Sequence, residues 1–104
     1  MTRQELDKHR SEILELCSLI QTNKAVAYET DNDVLSNFKS IADLLQLQPS
    51  QVLTVYLMKH IIAIINAIVD DPEAPTDASE GMTGRIADAI NYLVLLYAMI
   101  ESDE

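Results

Sequence analysis

The sequence predicts an all-α fold, a compact helical bundle of about four helices that forms one domain over residues 1–104. A chain of 104 residues suffices for one ordinary domain but not for two. Two Gly and three Pro supply too few turn residues for the hairpins of a β fold. Hydrophobic residues make up 48% of the chain and recur mostly at helical spacing, whereas aromatic residues make up 5%, so the expected core is aliphatic.

The first predicted helix runs from residue 3 to about residue 23. It begins at a capping box, in which the Thr2 hydroxyl accepts from the backbone N–H of Glu5 and the Glu5 carboxylate accepts from that of Thr2. Cys17 lies on the apolar stripe, so we expect it in the core, and a single cysteine cannot form an internal disulfide. The stripe consists of Leu6, Ile13, Leu14, Cys17 and Ile20.

A short second helix and a long third helix follow. Asp31 or Asp33 can cap the second helix. Pro49 suits the first turn of the third helix, which is predicted to run to about Val69. The apolar face of the second helix contains Val34, Leu35, Phe38, Ile41, Ala42 and Leu45.

An acidic loop is predicted between the third and fourth helices. Residues 71–82 combine prolines with acidic side chains and offer little to a core, so we expect a solvated loop. Thr83 can cap the fourth helix, which is predicted from Gly84 to about Glu101. The acidic tail at 101–104 is expected to fray.

The third and fourth predicted helices, about residues 49–69 and 84–101, are apolar almost all round. One small chain cannot easily bury two such helices, so we expect a homo-oligomer in which one of them packs against a copy of itself. A monomeric four-helix bundle with a central third helix is the alternative. Residues 52–69 also have the length of a membrane span, but Lys59 lies near their middle, where a charge is most costly, so we prefer a buried soluble helix.

The formal net charge of -10 limits the expected partners. It repels duplex nucleic acid and anionic membranes, so we expect neither as a partner. A local cationic pocket for a small ligand is compatible with that charge, because charges further away on the surface are screened. No secretion signal is recognisable, which indicates a cytoplasmic protein.

Six polar side chains interrupt the two apolar helices. Lys59 and Asn66 are seven residues apart and therefore share a face of the third helix. If the third and fourth helices pack face to face, we expect Lys59 to pair with Asp88. Such a pair can serve only to fix the register between helices, and the alternative is that these groups line a binding site. The six residues are Lys59, His60, Asn66, Asp88, Asn91 and Tyr92.

Patterns typical of catalysis or metal binding are weak. The chain has no glycine-rich phosphate loop and no nucleophile elbow. Glu12 and Glu15 have a spacing that a metal can use, but Lys8 lies one turn earlier as an ion-pair partner, so we interpret this face as solvated. Neither His9 nor His60 has a second ligand at zinc-binding spacing. The sequence therefore predicts no bound metal and no cofactor.

Four segments within about residues 20–100 share a pattern with known proteins: NKAVAY, SNFKSIADLL, YLMKHIIAIINAI and EGMTGRIADAINYLVLLYAMI. Together they resemble the small all-α phage proteins of the nucleotide modification associated domain, which are distantly similar to MazG-like nucleotide pyrophosphohydrolases. Members that look enzymatic carry acids where this chain has Ala27 and Met58. The resemblance therefore implies nucleotide binding more than hydrolysis. The matching residues are Lys24, Tyr28, Asn37, Phe38, Lys59, Glu80, Asp88, Asn91 and Tyr92.

The resemblance and the polar residues together predict a phage-type protein that binds a nucleotide or nucleotide-derived signal in a helix-lined pocket without a metal. Sequestering a host defence signal in the cytoplasm of an infected bacterium would need only affinity and copy number. Phosphate contacts are expected from Lys24, Lys39, Lys59, His60 and Arg85. Base or ribose contacts are expected from Asn37, Asn66 and Asn91. Tyr28 or Tyr92 would stack on the base, and Asp88 would orient Lys59.

Two alternatives stay open. A MazG-like enzyme would cleave a nucleoside triphosphate with Mg²⁺ held by Glu80 and Asp88. A non-catalytic interaction module would instead bind a basic host protein with its acidic surface and use the polar side chains only to set helix register. It predicts that these side chains are closed off from solvent. An open cleft lined by Lys59 and Asn91 would count against that module.

Overall fold

A computed structural model of the chain describes residues 1–28, 33–77 and 81–102. The described residues form four α-helices and no strand, which confirms the all-α prediction. In chain order they are α1 (Arg3–Tyr28), α2 (Ser36–Leu45), α3 (Pro49–Asp70) and α4 (Met82–Glu101).

Helix α1 starts as predicted but is longer at its C-terminal end. The capping box forms, with the Thr2 N–H donating to Glu5 Oε2 at 2.9 Å and the Glu5 N–H donating to Thr2 Oγ1 at 3.1 Å. The helix continues to Tyr28 rather than ending near residue 23. The added segment contains Lys and Ala, which are good helix formers, and neither Gly nor Pro, so nothing local ends the helix there.

Helix α2 begins later than the predicted caps suggest. Asp33 Oδ1 accepts from the Leu35 N–H at 2.9 Å, so this carboxylate stabilises the turn before the helix and does not cap it. Leu35 occupies the N-cap position without a side-chain hydrogen bond, and Asp31 lies outside the described residues. The helix ends at Gln46, which adopts a left-handed conformation with φ of 57°.

Helices α3 and α4 are close to their predicted ranges. Pro49 opens α3, and the Gln48 N–H donates to Gln51 Oε1 at 2.8 Å in the first turn. Helix α4 begins at Met82, with Gly81 at the N-cap with φ of 76°, so the prediction that Thr83 caps this helix is wrong. A glycine takes that backbone angle without strain, which lets the loop enter the helix two residues earlier than expected.

The core lies where α2, α3 and α4 meet. Helix α3 packs against both α2 and α4, and α1 packs against α4. Contrary to the aliphatic expectation, three aromatic rings join these helices: the ring centroids of Phe38 lie 5.8 Å from Tyr56 and 6.3 Å from Tyr92. The cluster of buried residues consists of Leu35, Phe38, Ala42, Val52 and Leu53.

Much apolar surface of α3 and α4 is not covered. The accessible surface of the chain is 7499 Å², against about 5,800 Å² for a compact monomer of this mass. The radius of gyration is 15.5 Å, against about 13 Å for a compact domain of this length. By length and composition one described helix, Pro49–Asp70, could cross a membrane, and 22% of its apolar window is buried. One such helix is weak support for a membrane span.

Candidate functional site

Four charged or titratable side chains form a buried cluster between α3, α4 and the preceding loop. We call His60 of α3, Asp77 of the loop, and Arg85 and Asp88 of α4 the polar cluster. His60, Arg85 and Asp88 are 4%, 8% and 7% exposed. Arg85 and Asp88 are three residues apart, so the first turns of α4 direct both side chains to the same side.

Arg85 connects the loop to α3. Its Nε donates to Asp77 Oδ2 at 2.7 Å, and both side chains are nearly buried. Its Nη1 lies 3.2 Å from His60 Nδ1. A buried guanidinium without an anionic partner is costly, so the Asp77 carboxylate stabilises the arginine in this position.

The contact with Arg85 determines the tautomer of His60. A guanidinium can only donate, so His60 Nδ1 must accept, and the ring proton lies on Nε2. The Nε2 atom lies 3.7 Å from Asp88 Oδ2. The imidazole also stacks on Tyr92, with centroids 5.5 Å apart and 27° between the planes. The ring is thus held on two edges and one face.

Asn91 and Cys17 connect α4 to α1. The Asn91 Nδ2 donates to the backbone oxygen of Cys17 at 2.9 Å. The Cys17 thiol donates to the backbone oxygen of Ala87 at 3.5 Å, and Cys17 is buried as predicted. Asn91 therefore uses its amide to fix helix packing.

Cys17 is expected to react slowly with thiol reagents in the folded protein. Burial raises the pKa of its thiol above the ordinary value of 9.0, and the charge of Asp88 raises it further. Because the thiolate is the reactive form, modification by a disulfide reagent at pH 8 should be at least about tenfold slower in buffer than in concentrated urea. Because the thiol pKa is higher in the folded than in the unfolded protein, this difference leaves the free energy of unfolding unchanged below pH 9.0. It lowers the free energy of unfolding as the pH rises from there through the folded pKa. Equal rates in buffer and urea would contradict the buried placement.

The expected contact between Lys59 and Asp88 is replaced by one between His60 and Asp88. Lys59 is exposed, and it makes no hydrogen bond or ion pair with any residue in the described part of the chain. Neighbouring residues of a helix point about 100° apart, so α3 can direct only one of the adjacent pair toward α4. The cost of burying an ammonium favours the imidazole at the inner position.

The other predicted ligand residues that the structure describes outside the polar cluster and α4 lie on two helices, α2 and α3. Asn66 is exposed on α3, on the same side as Lys59. Asn37 is half-buried on α2, and Lys39 Nζ donates to Asp33 Oδ2 at 2.7 Å. This hydrogen bond and the one from the Leu35 N–H hold the pKa of Asp33 below its ordinary value. The side chains of Lys24 and Tyr28, and all of Glu80, lie outside the described residues.

Asp77 is the member of the polar cluster that the sequence analysis missed. It lies in the segment predicted to be a solvated loop, yet its side chain is only 12% exposed. The available signal was Arg85 itself, because a cation in an apolar helix requires an acidic partner once buried, and Asp77 lies eight residues earlier.

No group of three or more His, Cys, Asp or Glu side chains within residues 1–28, 33–77 and 81–102 could hold a metal ion. The Glu12 carboxylate lies 4.0 Å from Lys8 Nζ and 3.5 Å from His9 Nδ1 on an exposed face of α1. The predicted ion-pair partner of Glu12 and the solvated character of this face are thereby confirmed.

Comparison of the chain with protein-family models, curated proteins and solved structures gives no match. The assignment of a site therefore depends on geometry and charge. The resemblance to phage nucleotide-handling proteins stays a prediction from the sequence.

Proposed function

We propose that this protein binds a nucleotide or a nucleotide-derived signal, without a metal, at a site centred on Lys59 and Asn66 of α3. The observation that carries the proposal is the exposed, unpaired ammonium of Lys59 on the apolar face of a helix. In a chain with 17 acidic residues, such a cation has many possible partners, yet none of the described ones reaches it. An anionic ligand would supply the missing charge.

The two side chains offer complementary chemistry. Lys59 can form charge-assisted hydrogen bonds to phosphate oxygens. Asn66 lies two helical turns further along the same face, and its amide both donates and accepts, as recognition of a base or ribose requires. A phage protein with this property could sequester a host defence signal by affinity alone.

The polar cluster supports this site indirectly. Arg85 and His60 contact each other, and Arg85 also binds Asp77, so a phosphate would reach them only after displacing that carboxylate. We therefore assign these residues to the positioning of α3 against α4. Tyr92 has the same role because it stacks on His60, whereas Asn91 positions α1 against α4 through the Cys17 backbone oxygen.

Removing the Lys59 ammonium is expected to weaken nucleotide binding about tenfold or more, since a hydrogen bond to a charged group contributes about 1.5–3 kcal/mol. Equilibrium dialysis against a panel of nucleoside triphosphates and cyclic nucleotides, in EDTA, measures the effect of Lys59→Ala. The matched control is Lys8→Ala, which removes an exposed lysine already paired with Glu12. Unchanged affinity of Lys59→Ala for every nucleotide bound by the wild type would contradict the proposal.

The hydrolytic alternative gains no support from the described residues. Asp88 is buried beside His60, and Glu80 lies outside the described part of the chain. Adding Mg²⁺ to the same panel separates the two functions. Monophosphate that forms only with Mg²⁺ indicates the enzyme, whereas an intact ligand retained in EDTA indicates the binding protein.

The interaction module is the second candidate, and one observation favours it. His60, Arg85 and Asp88 are closed off from solvent, as that hypothesis requires, and Asn91 binds the α1 backbone. If the protein is such a module, Lys59→Ala does not change nucleotide binding. The function then lies in the apolar faces of α3 and α4.

A further inference from the structure

Five apolar residues form a continuous exposed line along α3, which we call the α3 stripe. Their side chains belong to residues that are between 42% and 72% exposed. The line lies across the helix from the buried His60 and Ala67, so neither α2 nor α4 covers it. The α3 stripe consists of Val55, Met58, Ile62, Ile65 and Val69.

The spacing within the α3 stripe is that of a coiled-coil seam. Successive members are three, four, three and four residues apart, which is the a and d pattern of a heptad repeat. Ile68, which is 45% exposed, extends the apolar surface beside this line. An exposed seam with heptad spacing is suited to an equivalent seam on another helix.

We propose that a second copy of this chain packs its α3 against the α3 stripe, as an antiparallel pair of helices about a two-fold axis between Ile62 and Ile65. In this arrangement Ile62 packs against Ile65 of the partner subunit, and the reverse contact follows from the symmetry. The proposal does not depend on nucleotide binding.

The uncovered surface is large enough for such an interface. The accessible surface of 7499 Å² exceeds that of a compact monomer by on the order of 1,700 Å². A standard interface buries about 800 Å² on each partner. The whole chain therefore exposes more surface than one such contact requires, and α4 has a further exposed apolar line. That line contains Ile86, Leu93, Tyr97 and Ile100.

Charge favours the antiparallel orientation. Asp70 and Asp71 stand at the C-terminal end of α3, whereas its first turn contains no acidic residue. Parallel helices would bring four carboxylates together at one end. Antiparallel helices about this axis instead keep the two acidic ends apart, because Asp70 of one copy lies opposite Leu57 of the partner subunit.

The same orientation accounts for Lys59 and Asn66. Both residues follow a d position of the α3 stripe, so they occupy the edge of the seam and not its centre. With the axis between Ile62 and Ile65, Lys59 lies beside Asn66 of the partner subunit at that edge. The ammonium stays in water while its stem covers the seam.

The position of Lys59 and the net charge of the chain also favour a protein partner over a lipid bilayer. Lys59 is the eleventh residue of the 22-residue α3, so in a spanning helix its charge would lie at the centre of the membrane. The net charge of -10 further opposes an anionic bilayer surface.

Sedimentation velocity of the full chain tests the proposal. We expect the wild type to have an even multiple of the 11.6 kDa chain mass, and Ile62→Glu to have half the mass of the wild type. Leu44→Glu is the matched control, because Leu44 is 83% exposed on α2 and outside the stripe, and it should keep the wild-type mass. A monomeric wild type at 100 µM, or a folded Ile62→Glu with the wild-type mass, would overturn the proposal.

Disulfide trapping checks the orientation without disturbing the fold. Met58→Cys combined with Val69→Cys should give a cross-linked dimer on oxidation, since the antiparallel register brings residue 58 near residue 69 of the other copy. Val69→Cys alone should give none. Cross-linking by Val69→Cys alone would indicate parallel helices, and no cross-link in the double variant would reject the seam. Protein that binds lipid vesicles and does not form dimers would also reject the seam.

Discussion

Replacing Arg85 with methionine is expected to lower the free energy of unfolding by about 3–5 kcal/mol, because it leaves Asp77 nearly buried without its guanidinium partner. The bond between Arg85 Nε and Asp77 Oδ2 is 2.7 Å long, and Arg85 also supplies the donor to His60 Nδ1. Methionine keeps much of the volume, so the loss reports charge and hydrogen bonding more than packing. Urea unfolding followed by circular dichroism, at one protein concentration, measures it.

Arg10→Met is the matched control for this measurement. Arg10 Nη1 donates to Asp7 Oδ1 at 2.8 Å, but both side chains are more than half exposed. An exposed ion pair contributes only about 0–1 kcal/mol, so this variant should unfold close to the wild type. If both arginine variants lost the same stability, the polar cluster would not be the buried network described above.

Truncating Leu53 to alanine is expected to cost about 2–5 kcal/mol, from lost burial and from the cavity that remains. Leu53 has 0% exposure and lies in the core cluster between α2 and α3. This site matters more than its size suggests, because few large side chains in the described residues are fully buried. The same urea experiment measures the loss.

Leu44→Ala supplies the comparison for Leu53→Ala. The chemical change is identical, but Leu44 is 83% exposed, so its truncation should shift the unfolding free energy by less than about 0.5 kcal/mol. A Leu53→Ala variant as stable as Leu44→Ala would place the core elsewhere in the molecule.

The helices could be predicted from local signals, which act over a few residues. Thr2 with Glu5, and Pro49, mark the starts of α1 and α3 at the observed positions. The errors lie at helix ends, where a tertiary contact or a glycine decides. Gly81 opens α4 in place of Thr83, and α1 continues to Tyr28 because no residue there ends a helix.

The polar cluster was harder to predict because it depends on rotation about the helix axis. The sequence identifies polar side chains within apolar helices but does not say which of Lys59 and His60 points inward. The structure directs His60 toward Asp88 and leaves Lys59 exposed. Asp77 was missed for a related reason, since its burial depends on the contact of its side chain with Arg85 of α4.

We propose that this protein binds a nucleotide without a metal, and analysis of retained ligand tests that proposal. Purified protein is incubated in EDTA with the nucleotide panel, desalted, denatured and chromatographed, with Lys59→Ala treated in parallel. The account predicts an intact nucleotide released from the wild type and much less from Lys59→Ala. A wild type that retains no nucleotide, or that yields only monophosphate after Mg²⁺ is added, would contradict it.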